Sequence, residues 1–340
     1  FSQELSTEES DLSNYRTIQY ITSSWLSPKR AMYSDNNADI LLACINGKTE
    51  ADLRNLNIEF NDSQIMLLRA VRLLDVKGDT LRTAFTILGS AKTERLRSIA
   101  NTAAEKLYPK LIADIDELIL ELAKMNRQRN TYSILFSFVL DGLIWNSFEE
   151  RGLIDEMEIT AEKPFWDGTV WSLFPLRSFS CGTNISNDRG IALYMNWSKH
   201  APRLIWEFWG NYKYRRTLIK NFADNGKVTN PEVIRDFLRF HLFDENGNVA
   251  IPVIEATHEN RLYAISHRIV EKIADTLPEL LDFPQLTSEF KFKNNAQALI
   301  ITYHEIMRDL MVKFEKELIE KPIAFSHPDK ASEKEDRKSV

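Results

Sequence analysis

The sequence contains residue types that serve in catalysis and metal binding, but few of them have the spacing found in known catalytic or metal-binding motifs. The best metal-binding residue types are His258-Glu259, His267 and His304-Glu305. His258 and His267 are nine positions apart, which fits neither one helix face nor a zinc finger, and no HExxH motif occurs. His304 and Glu305 lie in an apolar helical pattern, where consecutive residues point about 100° apart, so we expect them at surface and boundary positions. The sequence therefore predicts no metal site.

Nucleophilic chemistry finds equally little support. Cys181, in Ser180-Cys181-Gly182, has no neighbouring base that would activate its thiol. Neither Gly-x-Ser-x-Gly nor a glycine-rich phosphate-binding motif occurs. We therefore predict no catalytic residue and no cofactor.

Aromatic side chains cluster near the middle of the chain. Trp166 and Trp171 are flat apolar rings that can floor a pocket for a sugar or a peptide, with Asp167 or Arg177 at its rim fixing the orientation of the ligand. The structural alternative is a seam between two halves of the protein, which also needs large side chains to fill it.

Cations alternate with aromatic rings in the strongest local basic patch, an arrangement that can stack on bases and neutralise phosphates. Its residues are Tyr212, Lys213, Tyr214, Arg215, Arg216 and Lys220. The alternative is a solvated helix face that packs its tyrosines inward.

Length and composition favour two domains and a mainly α fold. The chain has 340 residues, 44% of them hydrophobic, which is enough for two cores of ordinary size. Glycine numbers only 11, whereas folds rich in tight turns use more. The net charge of -6 offers no global attraction for nucleic acid or an anionic membrane. The longest apolar stretch, residues 134–145, is interrupted by Ser137 and Asp141 and is too short to span a bilayer.

The first half predicts three short helices and then a β-hairpin. An extended segment at 15–25 precedes helices at 38–45, 49–56 and 62–73 and strands at 74–77 and 82–87. Thr49 and Asn61 are at the N-cap positions of the second and third helices. Long helices follow at 93–123, with a break near Pro109, and at 131–151, where Gly152 supplies a left-handed C-terminal residue.

The second half predicts a similar order. Asn230 caps a helix at 231–240, a hairpin turn follows at 242–254, and helices cover 259–277 and 295–320. Leu73-Leu74-Asp75 aligns with Leu242-Phe243-Asp244 in the same element order, which favours an internal duplication over shared helical periodicity. The predicted organisation is a flexible segment at 1–14, a first domain at 15–160, an aromatic-rich connecting region at 161–197, a second domain at 198–324 and a charged flexible tail at 325–340.

The element order at 38–88, and again at 204–254, resembles a winged helix-turn-helix domain. The predicted fold is thus mainly α with short β-hairpins, made of tandem winged-helix-like units extended by long helices. The resemblance implies DNA binding through the third helix, although many such domains bind proteins instead. It makes Gln64, Arg69, Arg72 and the hairpin residue Lys77 candidates for contacts with bases, phosphates or a partner.

Three functions follow from these observations. The first is a non-enzymatic protein-binding or scaffold protein whose two copies form a composite surface. The second is a DNA-binding transcriptional regulator, and the third is a glycan- or peptide-binding protein or enzyme that uses the aromatic pocket. The chain opens with Phe1 rather than Met, which we interpret as favouring export, whereas a DNA-binding regulator is expected in the cytoplasm.

Overall fold

Helices dominate the chain, as the composition predicts. A computed structural model describes residues 8–24, 26–177, 181–188, 190–198, 207, 212–240 and 242–320. The described helices are α1 (Pro28–Met32), α2 (Asn37–Ala43), α3 (Glu50–Asn55), α4 (Asp62–Ala70), α5 (Ser90–Lys124), α6 (Thr131–Ser133), a π-helix (Ile134–Leu143), α7 (Ile144–Glu150), α8 (Tyr212–Asn225), α9 (Pro231–Phe237), α10 (Arg261–Leu280), α11 (Phe283–Phe290) and α12 (Asn295–Glu320). The predicted class, mainly α with short hairpins and long helices, is confirmed.

The strands form small sheets. They are β1 (Arg16–Ser23), β2 (Lys48–Thr49), β3 (Leu74–Lys77), β4 (Thr80–Thr83), β5 (Thr86–Leu88), β6 (Trp166–Leu173), β7 (Cys181–Asp188) and β8 (Ile191–Ser198). Among the described residues the sheet orders are β1-β6-β5, β2-β4-β3 and the pair β7-β8.

The chain divides into two compact units, each built from three separate stretches. Unit 1 contains residues 1–102, 149–178 and 280–306, and unit 2 contains residues 103–148, 179–279 and 307–340. The predicted connecting region at 161–197 contributes β6 to unit 1 and both strands of the β7-β8 hairpin to unit 2.

The first part of unit 1 follows the order α2-β2-α3-α4-β3-β4. Thr49 begins α3 with a capping box, because its hydroxyl accepts from the Asp52 amide while the Asp52 carboxylate accepts from the Thr49 amide. Asn61 and Gln64 form the same reciprocal pair at the start of α4. Leu41, from α2, packs with side chains of α3, α4 and β4 in one core. Leu12, in the predicted N-terminal tail, is buried in this core too.

Strand β6 is the central element of the larger sheet in unit 1. It pairs antiparallel with β1 and parallel with β5. Seven of its eight residues are buried, since it has neighbours on both edges and packing on both faces. Trp166 and Val170 belong to the core shared with α4, whereas Trp171 lies 4.8 Å from the His304 ring, centroid to centroid. Sequence reasoning missed this sheet, because its strands come from distant parts of the chain.

Two helix predictions need correction. The predicted break near Pro109 is wrong, because α5 continues through this proline. Proline removes one backbone donor, and burial of Leu107 and Leu111 on either side holds the helix in spite of that loss. The single helix expected at 131–151 is also wrong in detail, since its middle ten residues form the π-helix.

Unit 2 contains the π-helix, the β7-β8 hairpin, and α8 and α9. A core of Leu218, Ile219, Val233 and Phe237 packs α8 against α9. Asn230 caps α9 as predicted, accepting from the Glu232 and Val233 amides. In the predicted hairpin at 242–254 the described residues form one isolated bridge, Phe243 to Val249. Residues 204–206, 208–211 and 241 of the predicted second copy lie outside the described residues, so the duplication stays a prediction.

Gly168 provides a test of the central strand. Its φ is +122°, and a Cβ added there would lie 2.2 Å from the Tyr20 carbonyl oxygen of β1. We expect Gly168→Ala to lower the free energy of unfolding by at least about 3 kcal/mol, since neither backbone can move without breaking the pairing of the strands. Urea denaturation measures this difference.

Gly152→Ala is the matched control, because Gly152 also has positive φ but has no atom within 4 Å of an added Cβ. It should cost about 1 kcal/mol, from backbone strain alone. Equal costs for the two variants would contradict the packing described for β6.

Candidate interaction face

Helix α4 turns one side to the core of unit 1 and the other to solvent. Ile65 and Leu68 are buried, while Met66 is exposed. The outward residues of α4 are Asp62, Ser63, Met66, Arg69 and Ala70, and we call them the α4 face. Their spacing of three and four residues places Asp62, Met66 and Arg69 in one line along the helix.

Met66 is the centre of the α4 face. Its exposed fraction is 66%, the highest among the large hydrophobic side chains of the described residues. An exposed methionine is flexible and polarisable, which suits contact with an apolar partner surface. Asp62 and Arg69 flank it with one charge of each sign.

The β3-β4 hairpin follows α4, and its outer residues are also mixed in charge. Asp75, Val76, Lys77 and Asp79 are exposed there. Together, the α4 face and the hairpin carry the acids Asp62, Asp75 and Asp79 and the bases Arg69, Lys77 and Arg82. Three acids and three bases give no net attraction for phosphates.

Gln64, predicted as a base or partner contact, faces inward. Besides capping α4, its amide nitrogen donates to Asn36 Oδ1 at 2.7 Å and to Asn37 Oδ1 at 3.1 Å. Asn37 in turn donates to the Ala31 carbonyl at 2.8 Å. The side chain of Gln64 therefore ties α4 to the preceding helices.

Arg72, predicted for the same role, is held by β6. Its guanidinium lies over the Trp166 ring, 4.4 Å from the centroid. It donates to the Trp166 carbonyl and lies 3.7 Å from Asp167 Oδ1. Of the four residues suggested by the resemblance, Arg69 and Lys77 are the two that point to solvent.

The residues of the predicted aromatic pocket lie in the interior of unit 1. Trp166 is buried and donates from Nε1 to the Val71 carbonyl at 2.7 Å. Trp171 is fully buried on the opposite face of β6. Burial alone would raise the pKa of Asp167, but hydrogen bonds from Lys163 and from the Glu158 amide hold it below its ordinary value. These contacts are those of a packed sheet inside unit 1, where the tryptophans line neither an open pocket nor a seam between two halves.

Arg177, the other predicted rim residue, belongs to a buried ionic cluster that sequence reasoning missed. Glu305 on α12 is fully buried, and its Oε2 lies 3.0 Å from Arg177 Nε and 3.1 Å from Arg97 Nε. Arg97 also donates to the Pro175 carbonyl at 2.9 Å. The sequence signal was a carboxylate among the apolar residues of one helix segment, Ile300, Ile301, Tyr303 and Ile306.

The surface and boundary positions expected for His304 and Glu305 are therefore wrong. Both side chains are buried, because α12 is covered on all sides over residues 298–308. His304 makes an Nδ1 hydrogen bond of 2.7 Å with the Ile300 carbonyl and packs against Trp171 and Tyr20.

The predicted basic patch lies on α8 in unit 2. The side chains of Tyr212, Lys213 and Tyr214 are outside the described part of the structure. Arg215 is buried and donates to Ser186 Oγ of β7 at 3.3 Å. Arg216 and Lys220 are exposed, one turn apart. Among the described residues of the patch, Arg215 thus makes a packing contact, whereas Arg216 and Lys220 lie on the outer face of α8.

Two further groups, the histidine pair considered for metal binding and a buried cysteine, have defined places. The rings of His258 and His267 are 5.0 Å apart, centroid to centroid. No cluster of three or more His, Cys, Asp or Glu side chains suited to a metal occurs within the described ranges. Burial raises the pKa of the Cys44 thiol to about 11, so this cysteine is neutral at ordinary pH.

Comparison with known proteins returned no matching family model, no matching curated protein and no matching solved structure. Over the part of the chain that the structure covers, no helix has the length and apolar character needed to cross a membrane.

The buried ionic cluster gives a stability prediction. Glu305→Ala would leave Arg97 and Arg177 close together without their shared carboxylate, so we expect the free energy of unfolding to fall by about 3–5 kcal/mol. Chemical denaturation measures the change.

Glu50→Ala serves as the comparison, because the Glu50–Arg54 pair is 3.0 Å long but exposed. This substitution should cost less than about 1 kcal/mol. A Glu305→Ala protein as stable as the wild type would show that the cluster contributes nothing to the fold.

Proposed function

We propose that this chain is a non-enzymatic binding protein whose α4 face docks a protein partner. The observation that carries this proposal is the exposed Met66 at the centre of α4, the helix that the winged-helix resemblance would assign to recognition. An apolar side chain there is suited to burial against another protein and offers nothing to a phosphate backbone.

The framework that we propose for this face is the winged-helix-like unit predicted from the sequence at 38–88. Its order α2-β2-α3-α4-β3-β4, with sheet order β2-β4-β3, is compatible with the winged-helix resemblance inferred from sequence. In that arrangement α4 is the third helix and β3-β4 the wing. The proposal concerns this unit alone and does not require a second copy.

The distribution of charge supports a protein partner over DNA. A nucleic-acid reader gains affinity from cations that displace condensed counterions, whereas the outward residues of α4 and of the hairpin carry balanced charges. Arg72 is engaged with Trp166 and Asp167. A protein surface that alternates apolar and charged groups of both signs is the partner that matches this face.

The expected energetics are those of a small interface centred on one anchor. Burying a methionine side chain contributes about 1.5–3 kcal/mol, and central anchors carry most of the energy of many interfaces. Arg69 and Asp62 at the edge of the anchor then set orientation and partner choice more than affinity.

Substitution of the anchor tests the proposal. We expect Met66→Glu to weaken binding of the partner at least tenfold, because it replaces the apolar centre with a charge that must be desolvated. The partner is first identified by cross-linking through a photoreactive methionine analogue at position 66. The dissociation constant of the purified partner is then measured by calorimetry.

Ile159→Glu is the control, since Ile159 is another exposed apolar residue of unit 1, and it should leave the affinity unchanged. Steeply salt-dependent binding of duplex DNA that Arg69→Ala weakens and Met66→Glu does not would instead support the regulator hypothesis.

A further inference from the structure

The fold brings together two histidines of unit 2 that lie nine positions apart in the sequence. His258 is in the turn before α10, and His267 is on α10 itself. Their ring centroids are 5.0 Å apart, and we call the two residues the histidine pair. The prediction of no metal site rested on the spacing along the chain. It took no account of a turn that places the first histidine beside the helix of the second.

Backbone hydrogen bonds fix the turn that carries His258. Asn260 Oδ1 accepts from the Tyr263 amide at 3.1 Å, as an N-cap residue does at the start of a helix. The Asn260 amide donates to the Thr257 carbonyl at 3.1 Å. The position of His258 beside α10 is therefore set without a hydrogen bond from its imidazole.

Tyr263 of α10 contacts both rings of the histidine pair. Its ring centroid lies 5.6 Å from that of His258 and 5.9 Å from that of His267. Tyr263 and His267 are four residues apart, so their side chains share one face of the helix. The tyrosine ring thus limits the positions that the two imidazoles can occupy.

The nitrogens of the histidine pair are available to a ligand. His258 is exposed and His267 is half-buried. Over the described part of the chain, neither imidazole makes a hydrogen bond to the protein. Each neutral ring has one nitrogen lone pair that can coordinate a metal ion.

The separation of the two rings matches that of two imidazoles on one metal ion. A zinc–nitrogen bond is about 2.0–2.1 Å long, and with a tetrahedral angle at the metal two coordinated rings have centroids about 5 Å apart. The distance in the histidine pair is 5.0 Å. Each ring can turn about its metal–nitrogen bond, so the angle of 78° between the ring planes is compatible with shared coordination.

The cations nearest to the pair along α10 are already paired. Arg261 and Arg268 both form ion pairs with Glu117 of α5. Arg268 Nε also lies 3.2 Å from Asp114 Oδ1. Their positive charge is therefore compensated by carboxylates and opposes the binding of a cation only weakly.

A carboxylate follows the first histidine. Hydrogen bonds from its own amide and from Thr257 lower the pKa of Glu259, and the charge of His258 lowers it further. Glu259 is exposed and ionised at neutral pH. It adds negative charge beside the pair, which favours a bound cation.

We propose that His258 and His267 together bind one divalent transition-metal ion, with water completing its coordination. Within the described ranges no third His, Cys, Asp or Glu side chain joins them as a ligand. Imidazole favours Cu²⁺, Ni²⁺ and Zn²⁺, whereas Mg²⁺ and Ca²⁺ prefer oxygen ligands. Because no protein group among the described residues holds the second nitrogen of either ring, the bound ion is exchangeable rather than structural.

This site belongs to unit 2, whereas the α4 face belongs to unit 1. The two proposals rest on different residues and are tested with different ligands. Either can therefore fail without the other.

Calorimetric titration of the full chain with Zn²⁺, without a histidine tag, tests the site. We expect the wild type to bind one Zn²⁺ per chain that depends on both histidines. His258→Gln and His267→Gln should each weaken this binding at least about tenfold, since loss of even an outer-shell partner of a metal ligand costs that much. Mg²⁺ at the same concentrations should give no binding heat.

Tyr263→Phe is the matched control, because it keeps the ring against both histidines and leaves their nitrogens unchanged. Its zinc affinity should equal that of the wild type. His258 is exposed and makes no hydrogen bond to the described part of the protein, so His258→Gln keeps the fold. This variant tests the site even where His267→Gln is unstable.

Electron paramagnetic resonance of bound Cu²⁺ gives a readout that a purely structural role of the histidines would not change. We expect coupling to two imidazole nitrogens in the wild type and to one in His258→Gln. A zinc affinity unchanged in His258→Gln would overturn the proposal. So would one Zn²⁺ shared between two chains, or a wild-type copper spectrum without two imidazole nitrogens.

Discussion

The attachment of Trp166 to the end of α4 is the contact on which the architecture of unit 1 depends. The indole donates to the Val71 carbonyl, and Arg72 covers the ring and donates to the Trp166 carbonyl. An aromatic ring stacked under a guanidinium fixes both position and orientation. Because β6 is itself paired on both edges, this contact fastens α4 to the sheet and decides which of its sides is outward.

The functional proposal follows from that orientation. With Ile65, Leu68 and Gln64 turned toward the core, the side chains left for a partner are Met66 and its charged neighbours. The same attachment removes Arg72 from the set of free cations. Glu305 forms a second ionic contact in unit 1, because its carboxylate pairs with Arg97 and Arg177. The interior of the unit therefore contains an ionic cluster as well as apolar side chains.

Local signals predicted the ends of short helices in both units well. Asn61 and Asn230 each cap the helix expected to follow them, and Gly152 adopts the left-handed conformation expected at a helix end. Such features depend on neighbouring residues alone. Helix α11 was missed, because its eight residues are too few to display an apolar period.

Long-range contacts account for what sequence could not predict. β6 pairs with β1, about 150 residues earlier in the chain, and no local pattern indicates that partner. Burial of Trp166, Asp167 and Trp171 follows from this pairing, so residues that suggested a pocket occupy the interior instead. The π-helix escaped prediction for a related reason: its apolar sequence fits an α-helix equally well, and its geometry accompanies the packing of the hairpin on Gly142.

The contact between Arg72 and Trp166 can be measured directly by a double-mutant cycle. The free energies of unfolding of the wild type, Arg72→Ala, Trp166→Leu and the double variant give the coupling between the two side chains. Our account predicts a favourable coupling of about 1 kcal/mol. Additive effects of the two substitutions would contradict it. Arg72 would then be available to an external ligand, and it would have to be added to the residues of the α4 face.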